Sequence, residues 1–476
     1  MKTKRMADSV IKFGTDGWRA VMNDTFIISN VKIVAQAIAD YLKEAGLAEK
    51  GIVIGHDTRF FAERFASECA AVMVGNGIPV YMPRRALPTP ITAYSIKLYN
   101  TGGAIMLTAS HNPPEYNGIK FIPEYAGPAS PEITGTIEKY ISANVDGSGV
   151  KTAPLEGSDL VRDIEPFPEY TKHLSTLVDF DKLRQAGLKI ALDPMWGAAQ
   201  GLMDTLLAEV GCTVETIHNY RDPLFGGSYP DPSDKHLTEL KSEVMKMKAD
   251  LGLALDGDAD RFGAVDFNGA YIFANQILSL VAVHLLKNRG MKGVIVRTVA
   301  TTHLLDEIAK SYSTEAVEVP VGFKYIAQEM MKQPVVVGGE ESGGLSIQGH
   351  IPEKDGLLAD LLLAEMVAYE QKPLTEILDG IYEKYGKFYT KRLDIHLTPK
   401  RKDHLLNELK NNPPQEIAGE KVTETRAVDG IKYILASGDW ILARPSGTEP
   451  LVRVYIESRD KTRFENLEEY AQSMMT

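Results

Sequence analysis

A strand–loop–helix unit recurs three times along the chain, and no other feature limits the possible folds as strongly. Lys50-Gly-Ile-Val-Ile-Gly55 is a short apolar run, followed by a polar loop and a helix-like stretch from about Phe61. Leu188–Asp193 repeats the pattern, with Pro194–Gly197 as loop and a helical run to Leu207. Lys292–Arg297 repeats it again, with a helix over Thr302–Lys310. Each strand is continuously apolar, as a parallel strand covered on both faces must be. Two arrangements satisfy this: three similar α/β domains in series, or three βα turns of one larger sheet. A chain of 476 residues has room for roughly three or four domains, each with its own core.

Polar, Gly- and Pro-containing breaks at Asp146–Pro168, after Ala270 and over the basic segment Lys384–Lys391 place the expected domains at 1–162, 163–272, 273–388 and 389–476. The last reads differently. Asn411-Asn-Pro-Pro414 interrupts the chain, and alternation in Ile431–Leu435 and Leu451–Ile456 predicts antiparallel strands, so this part is expected to be a small α+β domain.

Hydrophobic residues at 44% and charged residues at 24% describe a globular chain. A formal charge of −12 argues against nucleic acid or an anionic membrane as partner, and no apolar stretch has the length of a span. Lys2, Lys4 and Arg5 are followed by no apolar leader core, and Cys69 and Cys212 give neither a disulfide framework nor zinc spacing; a cytoplasmic protein is expected. An anionic ligand would be repelled by the overall field. Any phosphate site must therefore be a local cluster of Arg, Lys and backbone N–H groups.

Four loops carry such chemistry. Thr108-Ala-Ser-His-Asn-Pro-Pro114, continuing to Lys120, follows the apolar run Ala104–Leu107 and sets Ser110 just past a strand end, where open α/β sheets bind ligands. Its alternative is an ordinary strand-ending turn; a hydrolase elbow is excluded because Thr108 and Asn112 stand where that motif needs glycine. Asp256-Gly-Asp-Ala-Asp-Arg261 puts three carboxylates on one side of a loop, where they repel unless a cation sits among them. All-oxygen ligands select a hard ion such as Mg²⁺, and Arg261 and Phe267 exclude an EF-hand, which needs Gly and Glu there. Gly338-Gly-Glu-Glu-Ser-Gly-Gly344 offers carboxylates and a hydroxyl suited to sugar hydroxyls, although Gly-rich turns are common. Arg444-Pro-Ser-Gly-Thr-Glu-Pro450 offers an arginine fork, two hydroxyls and backbone N–H groups: a phosphate cradle, or a turn between two strands.

Taken in order, with Phe13–Arg19 and Val321-Gly-Phe-Lys324, the four loops resemble the α-D-phosphohexomutase superfamily along the whole chain. The resemblance implies four domains around a central cleft, three of them topologically similar. It implies that Ser110 is phosphorylated in the working enzyme and that Asp256, Asp258 and Asp260, with an oxygen of the phosphoserine at Ser110, hold Mg²⁺. Arg19 and Lys120 match residues near the transferred phosphoryl group that are implicated in acid–base work, and His111, Asn112 and Arg261 match its neighbours. Gly322 and Lys324 match the loop before the sugar-binding motif, Glu340 and Ser342 match residues holding sugar hydroxyls, and Arg444, Ser446, Gly447 and Thr448 match the loop gripping the distal phosphate. The implied reaction moves phosphoryl between C1 and C6 of a hexose through a hexose 1,6-bisphosphate, in a monomer or homodimer. Glu341, Gly344, Ala259 and the Val321–Lys324 form resemble glucose-phosphate members, with mannose phosphate as second substrate and glucosamine phosphate further off. A serine-dependent phosphomonoesterase and a non-catalytic sugar-phosphate sensor are the alternatives from other classes; the first lacks a use for a distal phosphate cradle, and the second is expected to have lost Ser110 or one of the aspartates.

Overall fold

The computed structural model describes residues 11–12, 17–445 and 451–474. Four sheets follow one another along the chain. The first contains β1 (Trp18–Val21), β2 (Ile52–His56), β3 (Val80–Pro83), β4 (Gly103–Leu107), β5 (Tyr116–Pro123) and β6 (Val161–Ile164), in the order β1-β5-β4-β2-β3-β6. The second contains β7 (Lys189–Asp193), β8 (Thr213–Thr216), β9 (Leu251–Leu255), β10 (Phe262–Asp266) and β11 (Tyr271–Ile272), in the order β11-β10-β9-β7-β8. The third contains β12 (Val294–Thr298), β13 (Ala316–Val319), β14 (Val335–Glu340) and β15 (Gly344–Ile347), in the order β13-β12-β14-β15. These are three similar α/β units, not turns of one large sheet. β6 straddles the domain limit expected at residue 162.

The predicted strands at the repeat are parallel, as their unbroken apolar runs require: β2 pairs with β3 and β4, β7 with β8 and β9, and β12 with β13 and β14. Each sheet is nevertheless mixed. β4 leads into antiparallel β5, β9 into β10, and β14 into β15. The motif loops are therefore hairpin connections, whereas the repeat seen in sequence lies on neighbouring βα turns.

The fourth domain is built on β16 (Tyr389–His396), β17 (Glu416–Ile417), β18 (Glu420–Arg426), β19 (Ile431–Leu435), β20 (Trp440–Pro445) and β21 (Leu451–Ser458), all antiparallel to their neighbours. Its helix Pro399–Asn411 starts under a Thr398 side-chain cap and ends where the Asn411–Pro414 break was expected.

Packing groups the domains unequally. One hydrophobic cluster runs from Leu87 and Ile91 through the second and third domains to Ile381. Its spine is the helix Gly356–Glu370, buried along its whole length to Ala368 and capped by Asp355, which accepts the Leu358 N–H at 3.0 Å. The fourth domain has a separate core, from Ile395 to Ala471. It meets the third domain through a small apolar patch, Val299 and Ala300 against Trp440, Leu442 and Tyr455, beside a buried polar network. There Lys432, 1% exposed, lies 3.1 Å from Glu318, and Arg297 pairs with the same carboxylate at 2.7 Å. Among the described residues, no helix is long and apolar enough to cross a membrane.

Candidate active site

Ser110 lies on the hairpin between β4 and β5, in the left-handed region at φ +51° and 1% exposed. The Thr108 hydroxyl accepts its N–H at 2.8 Å and fixes this turn. Its hydroxyl donates to Asp256 Oδ2 at 2.6 Å, and His111 Nδ1 stands 3.3 Å away. Asp256 begins the equivalent hairpin of the second sheet, which curls back so that Asp256 Oδ1 accepts the Arg261 N–H at 3.0 Å. The two loops touch through backbone. A Cβ on Gly257 would fall 2.7 Å from the Ser110 carbonyl oxygen, so only glycine allows this approach.

Asp256, Asp258 and Asp260 are each at most 1% exposed, and ligand oxygens of all three lie within 4.8 Å of one another. Lys120, from β5, donates to Asp258 at 2.6 Å and to Asp260 at 2.9 Å; Lys354 lies 3.2 Å from Asp260. Thr89 donates to Asp258 at 2.6 Å. Burial and the neighbouring Asp258 and Asp260 charges push the Asp256 carboxyl well above its usual range. Burial acts the same way on Asp260, but Lys120, Lys354 and Arg261 outweigh it and hold that carboxyl below its usual range. Burial, reinforced by Arg261 and Arg19, holds His111 well below its usual value and therefore neutral. Oδ1 of Asp258 and Oδ1 of Asp260 are buried without a hydrogen-bond partner among the described residues. Orphaned buried carboxylate oxygens are costly, and a cation-binding role accounts for them; this donor set fits a hard divalent ion.

Hydrogen bonds link several of the remaining expected residues to one another and some of them to this centre. Arg19 Nη1 donates to Asn112 Oδ1 at 2.8 Å. The Phe262 N–H, one residue past Arg261, donates to the Gly343 carbonyl at 3.2 Å and ties the aspartate loop to the Glu340–Ser342 hairpin of the third sheet. Glu340, 6% exposed, accepts the Gly322 N–H at 3.0 Å, while Glu341 accepts the Thr298 hydroxyl at 3.0 Å. Gly322 caps the helix Phe323–Lys332, which puts Lys324 in its first turn. In the fourth domain Arg444, at the end of β20, donates through Nε to Asp429 at 2.6 Å, and Asp429 also accepts the Val321 N–H at 3.1 Å. One line of hydrogen bonds thus runs from the third-domain segment before Lys324 to Arg444. Ser446, Gly447 and Thr448 lie outside the described residues.

Sequence reasoning missed several members. Arg59 and Asp57 follow β2 in a loop read only as polar; an Asp-x-Arg directly after a buried parallel strand was the available signal. Thr89 and Lys354 carry no local motif, and only the fold brings them here; Asp429 reaches Arg444 across the β19–β20 hairpin and likewise has no motif.

The chain matches four parts of one family, described as phosphoglucomutase/phosphomannomutase: alpha/beta/alpha domain I over residues 10–146, domain II over 168–269, domain III over 273–385 and the C-terminal domain over 404–472. A "Phosphoglucomutase/phosphomannomutase" of Thermococcus kodakarensis is 30% identical over 95% of each chain. A "Probable phosphoglucosamine mutase" of Pyrococcus abyssi is 32% identical over 97% of each. The crystal structure of a "putative phosphomannomutase" from Thermus thermophilus superposes with a TM-score of 0.84 at 30% identity, covering 98% of this chain and 99% of that one. Relatives of this extent, together with all four domains in order, establish that the chain belongs to the phosphoglucomutase/phosphomannomutase family of the α-D-phosphohexomutase superfamily, whose members are isomerases.

Proposed function

We propose that the protein interconverts a hexose 1-phosphate and the hexose 6-phosphate through phosphoserine at Ser110 and a hexose 1,6-bisphosphate, with glucose phosphate preferred and mannose phosphate second. The observation that carries this reading is the 2.6 Å hydrogen bond from the Ser110 hydroxyl to a buried three-aspartate cluster built on a different domain. Phosphoserine carries close to two negative charges, so it needs the cationic surroundings that Lys120, Arg261 and Arg19 offer. Asp256, Asp258 and Asp260 would hold Mg²⁺, which when bound would neutralise charge on the phosphoryl oxygens. Glu340 and Ser342 would orient the sugar, and Arg444, with Ser446, Gly447 and Thr448, would grip the distal phosphate.

The substrate hydroxyl attacks the phosphorus of phosphoserine in line as the bond from phosphorus to Ser110 Oγ breaks; the hydroxyl proton passes to a basic group in the Lys120 and Arg19 neighbourhood, and Oγ takes up a proton to return to serine. The resulting bisphosphate turns over and returns its other phosphate to Ser110. Positioning and charge stabilisation supply most of the rate in such transfers. Buried, unpaired Cys69 and Cys212 suit a reducing compartment, in keeping with a cytoplasmic enzyme. The sugar preference rests on Glu341, Gly344 and Ala259, whereas named relatives include a glucosamine mutase, so the sugar must be assayed directly.

The test joins two measurements. Intact mass must show one phosphate on the wild-type protein and none on Ser110→Ala, and a coupled assay across glucose, mannose and glucosamine 1-phosphates must lose nearly all turnover in that variant. Undiminished turnover in Ser110→Ala removes the serine from the reaction. Release of inorganic phosphate in place of hexose 6-phosphate identifies a phosphomonoesterase.

A further inference from the structure

Arg59 is 0% exposed and lies in the loop that follows β2, the parallel neighbour of β4. The Asp57 N–H donates to the Leu107 carbonyl at 3.0 Å, which fixes this loop to the strand end from which the serine loop departs. Asp57 then accepts the Arg59 N–H at 2.9 Å and places its second oxygen 3.2 Å from Arg59 Nε. The other four guanidinium N–H groups all go to the serine loop. Nη2 donates to the carbonyls of Ser110 at 2.5 Å and Asn112 at 2.7 Å, and Nη1 donates to those of Pro113 at 2.8 Å and Tyr116 at 3.0 Å. The Phe225 ring of the second domain covers the guanidinium at 4.9 Å.

The sequence explains why a guanidinium is needed. The carbonyls of Asn112 and Pro113 each precede a proline, so these peptide units accept hydrogen bonds and donate none. Buried in this loop, they need an outside donor. A planar fork with five N–H groups can serve four carbonyls at once; an ammonium, with three hydrogens on one atom, cannot. The loop is thereby wrapped around Arg59, and Ser110 is held at its positive φ with its hydroxyl on Asp256.

We propose that Arg59 is a positioning residue for phosphoryl transfer at Ser110: its guanidinium sets the serine-loop backbone, and through it the line of attack on the phosphorus, without touching the sugar. This rests on the reading of Ser110 as phosphoryl carrier. Arg59→Lys and Arg59→Ala are compared with wild type for steady-state kinetics, for the single-turnover rate of Ser110 phosphorylation by glucose 1,6-bisphosphate, and for the thermal shift produced by Mg²⁺. The expected result for Arg59→Lys is a kcat lower by about 100-fold, because small misplacements cost rates of that order. Its KM should stay within about twofold of wild type, since the Glu340 and Arg444 loops are untouched, and phosphorylation should slow by the same factor as kcat. Guanidinium chloride at low millimolar concentration should restore at least about tenfold of the lost rate in Arg59→Ala, and methylammonium should not. A purely structural arginine would instead lower thermal stability and the Mg²⁺ shift and show no such rescue. The proposal is overturned by an Arg59→Lys kcat within about twofold of wild type, by a loss residing in KM, or by failure of both variants to fold. Absence of phosphate transfer to Ser110 in the wild type would instead refute the proposed function itself.

Discussion

Acidification should loosen the fourth domain through one histidine. His303 sits where the third domain meets the fourth, and its Nε2 accepts a hydrogen bond from Lys432 Nζ at 2.8 Å, so the ring must carry its proton on Nδ1. The Trp440 ring lies 5.4 Å away by centroid, and Glu318 Oε2 is 3.8 Å from Nε2. Burial lowers this histidine from 6.5 to about 4, with Glu318 and Asp306 opposing the shift and Lys432 and Arg297 reinforcing it. The unfolded chain therefore binds more protons than the folded one between those two values. Stability contributed here is complete above 6.5 and is lost as pH falls toward 4. Between about pH 7.5 and about pH 5 the linkage relation gives a loss of about 2 kcal/mol. The docked state should weaken by at most that amount, because protonation sets an imidazolium against an ammonium at the interface. Amide exchange of β20 and β21, or the emission of buried Trp440, measures docking at both pH values. His303→Gln keeps an acceptor for Lys432 and removes the titration, so it should lose most of the pH slope. His173, also lowered to about 4, titrates equally in both proteins and cancels in the comparison. An identical slope in variant and wild type would refute the reasoning.

Two further perturbations probe the site. Asp258→Asn should abolish most of the thermal stabilisation by Mg²⁺, which for a ligand at 100 times its Kd amounts to about 2.7 kcal/mol in the wild type; an unchanged shift places the ion elsewhere. Arg444→Ala should raise KM by about tenfold or more, since a charge-assisted contact contributes about 1.5–3 kcal/mol, and unaltered kinetics would remove Arg444 from substrate binding.

Legibility in the sequence followed the range of each interaction. The repeated βα unit was readable because apolar runs such as Ile52–Gly55 are buried residue for residue; the antiparallel fourth domain was expected from alternation in Ile431–Leu435 and Leu451–Ile456, although these strands are buried at nearly every position. The Ser110 and Asp256–Arg261 loops were readable because their chemistry is contiguous. Mixed sheets were not, since β5 and β10 are as buried as the strands β4 and β9 they pair with, and hydrogen-bond direction leaves no trace in composition. Lys354 and Asp429 were invisible for a different reason. Lys354 meets Asp260 only after elements distant in sequence have packed, and Asp429 meets Arg444 only through the antiparallel register of β19 and β20, which no local motif announces.

The bond between Asp429 and Arg444 bears on how fast a ligand can leave. Asp429 holds the Nε–H of Arg444, so its negative charge stands beside the guanidinium and opposes any phosphate that arrives at the remaining N–H groups. Such internal competition weakens equilibrium affinity but shortens residence time. In the proposed reaction the bisphosphate has to be let go by one end before it can present the other, and there a short residence serves better than a tight grip.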